Sequence, residues 1–349
     1  MPAPNDEISP GYADLTPAQV LDALDTVGMR GDGRILQLNS YENRVFQVFL
    51  EDGTAVVAKF YRPGRWGDAQ ILEEHGFALE LDREEVPVVP PMHLSTGVHQ
   101  PASGSQTASP PPDASNTLAK VQTEHTLHRF SVSKRCAGRA PELDDPQTLQ
   151  WLGRFIARMH VVGRQRTFVQ RRHMHPSQDA RAARDLLLKG HFIAAEKVQA
   201  WQQACSLAIN ALDRSFERIG ARPQIRLHGD CHPGNVLWRE EGPHVVDLDD
   251  ACMGPAVQDL WMLVSGDAHS MAEQMRLLLK GYRQFMPFDE RELALVEALR
   301  TLRMLRHSAW LAERWTDPAF PRAFPWFDTS AYWSEQTTQL HEQVEAMAA

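Results

Sequence analysis

The sequence predicts an α+β protein with a small β-rich N-terminal part and a larger, mainly helical C-terminal part. Residues 34–61 alternate apolar and polar side chains in short bursts, the period of half-buried strands. From Asp145 onward, apolar residues recur instead at helical spacing over long stretches. The chain has 349 residues, 43% of them hydrophobic, enough for a sizeable core divided between two domains. The expected division is 1–132 and 133–349, with a flexible insertion at about 95–120 in the first.

In order along the chain, "RILQL", "RVFQVFL" and "TAVVAKFY" read as strands. The last two are separated by "EDGT", whose Asp52-Gly53 pair supplies hairpin turn chemistry. Asp68 is placed to cap a helix reaching about Leu81, with Ile71, Leu72, Ala78 and Leu79 on one face. This is the one helix expected in the first part. "VPVVPPMHL" (86–94) is too rich in proline for a helix and reads as extended chain. Residues 95–117 are nearly free of large apolar groups and cannot offset the entropy of ordering.

Beyond this, Asp145 can cap a helix that has Pro146 in its first turn, and Leu149, Leu152, Ile156 and Met159 keep the period. Helices are also expected over 194–218, 268–286 and 331–347. Asp289 with Glu292 resembles a capping box before "LALVEALRTLRMLRHSAWLAERW".

The formal net charge of −9 argues against broad binding to nucleic acid or to an anionic membrane, because both need basic surface. No apolar run reaches the length of a membrane span, and the polar, acidic N-terminus does not read as a secretory signal. Four cysteines without paired spacing suit a reduced, cytoplasmic protein. A monomer is expected.

Chemistry concentrates in "LHGDCHPGNVLW" (227–238) and "VVDLDD" (245–250). "QIRL", "NVLW" and "HVV" read as strands, so a tight loop between them would bring Asp230, Asn235 and Asp247 to one edge. A carboxylate with a carboxamide oxygen is hard-oxygen chemistry that suits magnesium shared with phosphate oxygens. A further carboxylate outside the ion's shell could accept a hydroxyl proton. Each residue alone is equally able to cap a turn. His228, Asp230 and His232 could instead ligate zinc or iron. Asp247-x-Asp249 after an apolar run also fits an aspartyl nucleophile. Upstream, Lys59 in "VVAKFY" sits where strand alternation buries it, and a buried lysine is costly unless paired. Glu73 and Glu74 on the next helix are the available partners. A strand lysine held by a helix glutamate is how protein kinases grip the α- and β-phosphates.

"LHGDCHPGNVLW" and "VVDLDDACMGPAVQDLW" resemble the catalytic core of the aminoglycoside-phosphotransferase and choline-kinase branch of the protein-kinase-like fold. "LNSYENRVFQV", "VAKFYRPGRW", "ILEEHGFALEL" and "DPAFPRAFPWF" narrow the resemblance to the bacterial stress response kinase family of serine/threonine protein kinases. The resemblance implies a bilobal fold, ATP as co-substrate, magnesium, and a protein acceptor. It implies that Asp230 orients and deprotonates the acceptor hydroxyl, and that Asn235 and Asp247 hold magnesium on the ATP phosphates. Lys59 would contact those phosphates, tethered by Glu74 in preference to Glu73. "LNSYENR" replaces a glycine-rich loop, so that Ser40 and its neighbours would cover the phosphates through backbone amides. Asp259 would anchor the catalytic loop, and His228 would pack behind it. One departure is "LHRFSVSKRCAGR", where Ser133, Lys134 and Arg135 are polar for a segment that lines adenine. A small-molecule kinase would use the same residues, since fold does not determine the acceptor. A non-catalytic nucleotide-binding module is the third reading, and the complete Lys59, Asp230, Asn235 and Asp247 set argues against it.

Overall fold

The computed structural model describes residues 11–95 and 114–348, so most of the expected insertion lies outside the described residues. The N-terminal part is a five-stranded antiparallel sheet in the order β1-β2-β3-β5-β4. Its strands are β1 (Gly31–Leu38), β2 (Arg44–Leu50), β3 (Ala55–Phe60), β4 (Ala119–Gln122) and β5 (Leu127–Lys134). The β2–β3 hairpin turns on Asp52, which accepts from Thr54 N at 2.8 Å, and on Gly53 at φ +83°. In β3, Val56, Ala58 and Phe60 are buried against Phe46, Val48, Phe130 and Val132. Lys59 and Val57 therefore project from the opposite face, which is the face turned to the rest of the protein.

This part has two helices where the sequence suggested one. The first, α1 (Pro17–Asp25), starts at a capping box formed by Thr16 and Gln19 and packs Val20 and Leu24 into the sheet core. The second, α2 (Asp68–Arg83), begins one residue earlier than expected, because Gly67 is the cap. Asp68 is the first helical residue and pairs instead with Lys120 and Arg129 on β4 and β5. The buried face of α2 runs through Ile71, Glu74, His75, Ala78 and Leu81, and Leu72 and Leu79 lie at its half-exposed margins. Residues 86–94 are extended and join both parts: Val88 bridges to Val245, and Pro91 bridges to Ser133.

The C-terminal part is helical, with α3 (Pro146–Gly163), α4 (Pro176–Lys189), α5 (Ala195–Ile219), α6 (Ala268–Tyr282), α7 (Val296–Arg314), α8 (Ala319–Ala323) and α9 (Ser330–Ala348). Asp145 caps α3 by accepting from Gln147 N and Thr148 N. Helices α3 and α6 cross so closely that a Cβ on Gly153 would lie 1.9 Å from Leu278 O. The expected Asp289–Glu292 capping box does not form. Asp289 caps a 3₁₀ turn over Glu290–Leu295, while Glu292 turns inward and accepts from Val257 N at 2.9 Å. Burying a bond to a backbone N–H there wins over a surface cap. Among the described residues, no helix is long and apolar enough to cross a membrane.

Two small antiparallel ribbons form the floor between the parts. One pairs β6 (Ile225–Leu227) with β9 (Cys252–Gly254), and the other pairs β7 (Val236–Arg239) with β8 (Gly242–Val245).

Candidate active site

The loop between β6 and β7 carries His228, Asp230, His232 and Asn235. It is held by the fully buried Asp259, which accepts from His228 N and Gly229 N, each at 2.8 Å, and contacts His160 Nε2 at 3.1 Å. Gly229 sits at φ +85°, and a Cβ there would lie 2.2 Å from Asp250 O, so only glycine fits. His228 is buried behind the loop, its Nε2 2.9 Å from Val246 O. Asp230 projects into the cleft, pairs with Arg303 of α7, and lies 3.4 Å from His232 Nε2. Burial would raise its pKa, but His232 and Arg303 hold it well below the usual carboxylate range. Asn235 ends a 3₁₀ turn and donates through Nδ2 to Asp230 O at 3.0 Å. Its carboxamide oxygen has no protein partner among the described residues.

Strand β8 delivers Asp247 in the left-handed conformation, φ +63° and ψ +63°, which is uncommon outside glycine and asparagine and characteristic of functional turns. Its side chain is half exposed. Lys59 reaches across from β3, with Nζ 2.8 Å from Asp247 Oδ1 and 3.3 Å from Asp249 Oδ1. Burial opposes the lysine's charge, yet Asp247 and Asp249 push its pKa well above the ordinary value.

Glu74 is not in ion-pair contact with Lys59, although it lines the same cleft. Burial pushes Glu74 up to about 7, against the pull of Lys59 and Arg171. Glu73 points elsewhere and accepts from the backbone N–H groups of Val169, Gln170 and Arg171. The lysine's partners here are thus acids of the larger part. Sequence reading offered Asp249 only as part of an aspartyl-nucleophile pattern and missed its role as a buried hub that accepts from Asn43 Nδ2 at 3.2 Å and pairs with Arg65 and Lys59. Three turn-forming acids within four residues gave no sign of which one would be buried.

Ser40 lies in the β1–β2 loop, where its Oγ accepts from Asn43 N at 3.3 Å, and the loop lines the cleft from Leu38 to Asn43. Glycine is not what shapes this loop. Glu42 fastens it to the larger part, accepting from Trp310 Nε1 at 2.6 Å and Arg314 NH2 at 2.9 Å. The Tyr41 ring packs against Phe324, with centroids 5.0 Å apart. Of the aromatics between 310 and 333, Trp310 and Phe324 face the cleft, while Phe320, Phe327 and Trp333 are core.

All the expected site residues, Ser40, Lys59, Glu74, Asp230, Asn235 and Asp247, line one cavity of about 980 Å³ between the two parts. Its far end is walled by Val57, Pro91, Ser131, Ser133, Cys136 and Leu237, a mixed apolar and hydroxyl surface that can take a flat ring. The Asp247 carboxylate and the free Asn235 oxygen fit a hard divalent cation that keeps part of its water. The zinc or iron alternative does not fit. His228 is engaged by the backbone, and no group of three or more His, Cys, Asp or Glu is arranged for a metal among the described residues.

A family model, the phosphotransferase enzyme family, matches residues 34–296. Stress response kinase A of Escherichia coli (strain K12) is 39% identical over 336 residues, covering 96% of this chain and 94% of that protein. The serine/threonine protein kinase RdoA of Salmonella typhimurium (strain LT2) is 37% identical with the same coverage. Among solved structures, amicoumacin kinase hAmiN in complex with AMP-PNP and Ca2+ superposes with a TM-score of 0.69. It is 19% identical, and the match covers 94% of this chain and 93% of that one. That is a likeness of fold.

Proposed function

This chain belongs to the phosphotransferase enzyme family, and we propose that it moves the γ-phosphoryl group of ATP, with magnesium, onto serine and threonine hydroxyls of proteins, its own included. The observation that carries the proposal is the approach of Lys59 from the sheet to within 2.8 Å of Asp247, in the same cleft as Asp230 and Asn235. The acceptor class is supported by the relatives of 37–39% identity named as serine/threonine or stress response kinases. Those names also support a role in stress response.

Each residue then has a task. Lys59 neutralises charge on the nucleotide phosphates, and the β1–β2 loop with Ser40 covers them. Asn235 and Asp247 would hold magnesium, which supplies charge neutralisation on the phosphates when bound. The ionised Asp230 takes the proton of the acceptor hydroxyl. The hydroxyl oxygen bonds to the γ-phosphorus as the bridging oxygen leaves with ADP. Such catalysis is positioning plus electrostatics, which is why the loop is clamped by Asp259 rather than left mobile.

Incubation with labelled ATP and no added acceptor tests the proposal. Label on the protein's own serine or threonine supports it. Label appearing only on a small alcohol from an acceptor panel moves the activity to the small-molecule kinases. Tight ATP binding with no transfer to any acceptor overturns both readings.

A further inference from the structure

Resting on the protein-acceptor reading, we propose that the acceptor is a serine- or threonine-bearing segment flanked by acidic side chains, read by arginines on α7 and by Arg172. The starting observation is that Asp230 is engaged: Arg303 pairs with its Oδ1 and His232 Nε2 lies 3.4 Å from its Oδ2, so an acceptor hydroxyl competes with Arg303 for the carboxylate. Around it the cleft is basic. Arg306, one turn along α7, lines the cavity and makes no hydrogen bond or ion pair among the described residues. Arg172 lines the same wall; its NH1 pairs with Asp179 at 3.5 Å, but its buried Nε has no partner among the described residues. The unpaired Arg306 guanidinium and the orphaned Arg172 Nε in a partly buried wall call for an anion, because desolvated donors without partners are costly.

The cavity also continues. A second hollow of about 400 Å³ adjoins the first, and His232, Arg303 and His307 line both. Beyond them it is walled by Trp261, Met262 and Arg300. Arg300, Arg303 and His307 stand at i, i+3 and i+7, one face of α7. The acceptor channel therefore runs past the base along a helix face, with room for chain on that side of the hydroxyl. A small cationic alcohol would meet Arg300 and Arg303 there and Arg306 beside the base, whereas an acidic segment would meet partners, with Arg300 shared with Glu297 at 3.1 Å. An acidic side chain beside the acceptor residue would also draw Arg303 off Asp230 and free the carboxylate for the hydroxyl proton. The same contact would serve recognition and exposure of the base.

The test uses the full chain and three serine peptides of equal length, with acidic, uncharged or basic flanks, and glycerate as a small anionic alcohol. The expected kcat/KM favours the acidic peptide over the uncharged one by about tenfold, the scale of one charge-assisted contact, with the basic peptide last. Raising the salt narrows the spread. Arg306→Glu and, separately, Arg300→Glu weaken or invert the order, with folding checked by the rise in Tm on adding ATP and magnesium. Equal rates on all three peptides, or a preference untouched by both variants, overturn the inference and leave the protein-kinase reading standing. Rapid labelling of glycerate with no labelling of any peptide overturns both.

Discussion

Asp259→Asn is the most informative single change, because it keeps the side chain's shape and removes its charge and the equivalence of its two oxygens. Asp259 Oδ2 accepts from His228 N and Oδ1 from Gly229 N, both at 2.8 Å in a fully buried site. An asparagine can satisfy one of these donors, and its NH2 must face the other. One charge-assisted bond is lost and one buried N–H is orphaned, for a cost of about 3 kcal/mol. For a chain of this size that lowers Tm by roughly 4 °C. The functional effect is larger, because Asp230 follows Gly229 directly and the loop has no slack at that glycine. A shift of about 1 Å in a catalytic group costs about 100-fold in turnover. Steady-state kinetics on the labelled-ATP assay should show kcat falling by that order with KM for ATP little changed, beside a thermal melt. A variant with the parent's Tm and a kcat within about twofold of the parent would refute the reasoning, since mutations at such buried networks are not silent.

Asp230→Ala should depress kcat by at least about 100-fold while leaving ATP binding near the parent's, measured by calorimetry in the presence of magnesium. Asp247→Ala should weaken binding of magnesium–ATP as well, because it removes both a hard ligand and a partner of Lys59. Gly153→Ala should destabilise the protein by about 1–3 kcal/mol in denaturant melts, because the new methyl would overlap the α6 backbone at Leu278 and no flexible side chain can yield. Glu292→Gln tests a buried acid. Burial pushes Glu292 up to about 7 from 4.5, partly offset by its bond from Val257 N. The native state then binds more protons than the unfolded chain between those values, so stability contributed by this group is present below about 4.5 and is lost as pH rises to about 7. The glutamine keeps the acceptor and removes the titration, so the variant should gain on the parent by about 3 kcal/mol from pH 4 to pH 8, read from paired melts. An unchanged difference across that range would count against burial as the cause.

The order of elements was legible because hydrophobic period reports which face is covered, and most of the fold is a record of covered faces. Strands 34–61 and helices α3, α5, α6, α7 and α9 follow from that alone, while α4 and the short α8 were not read from the sequence. The missed α1 had a legible signal, Thr16-Pro17 with Gln19, but only nine residues of period behind it. Cap assignments failed where tertiary contacts outbid local ones. Asp68 is worth more to Lys120 and Arg129 than to its own helix N-terminus, and Glu292 more to Val257 N than to a capping box.

The site divides in the same way. Residues that the local loop brings to the cleft, Asp230, Asn235 and Asp247, could be picked from a strand–loop–strand pattern. Residues whose roles depend on closure between the two parts could not. Asp249 becomes the hub only when Asn43, Lys59 and Arg65 arrive from the sheet, and Arg303 reaches Asp230 from 73 positions along the chain. Closure is also what gives the cleft its charge pattern. The sheet brings Lys59 and Arg65 to Asp247, Asp249 and Asp250, so at the proposed nucleotide end each cation already has an acid beside it. At the proposed acceptor end the balance is reversed: Arg303 has Asp230, while Arg306 stands without hydrogen bond or ion pair among the described residues. A net charge of −9 read from composition says nothing of this local surplus. Electrostatic selection of an acceptor is set by the few groups that face it across a low-dielectric cleft, where pairing and desolvation outweigh the chain's total charge.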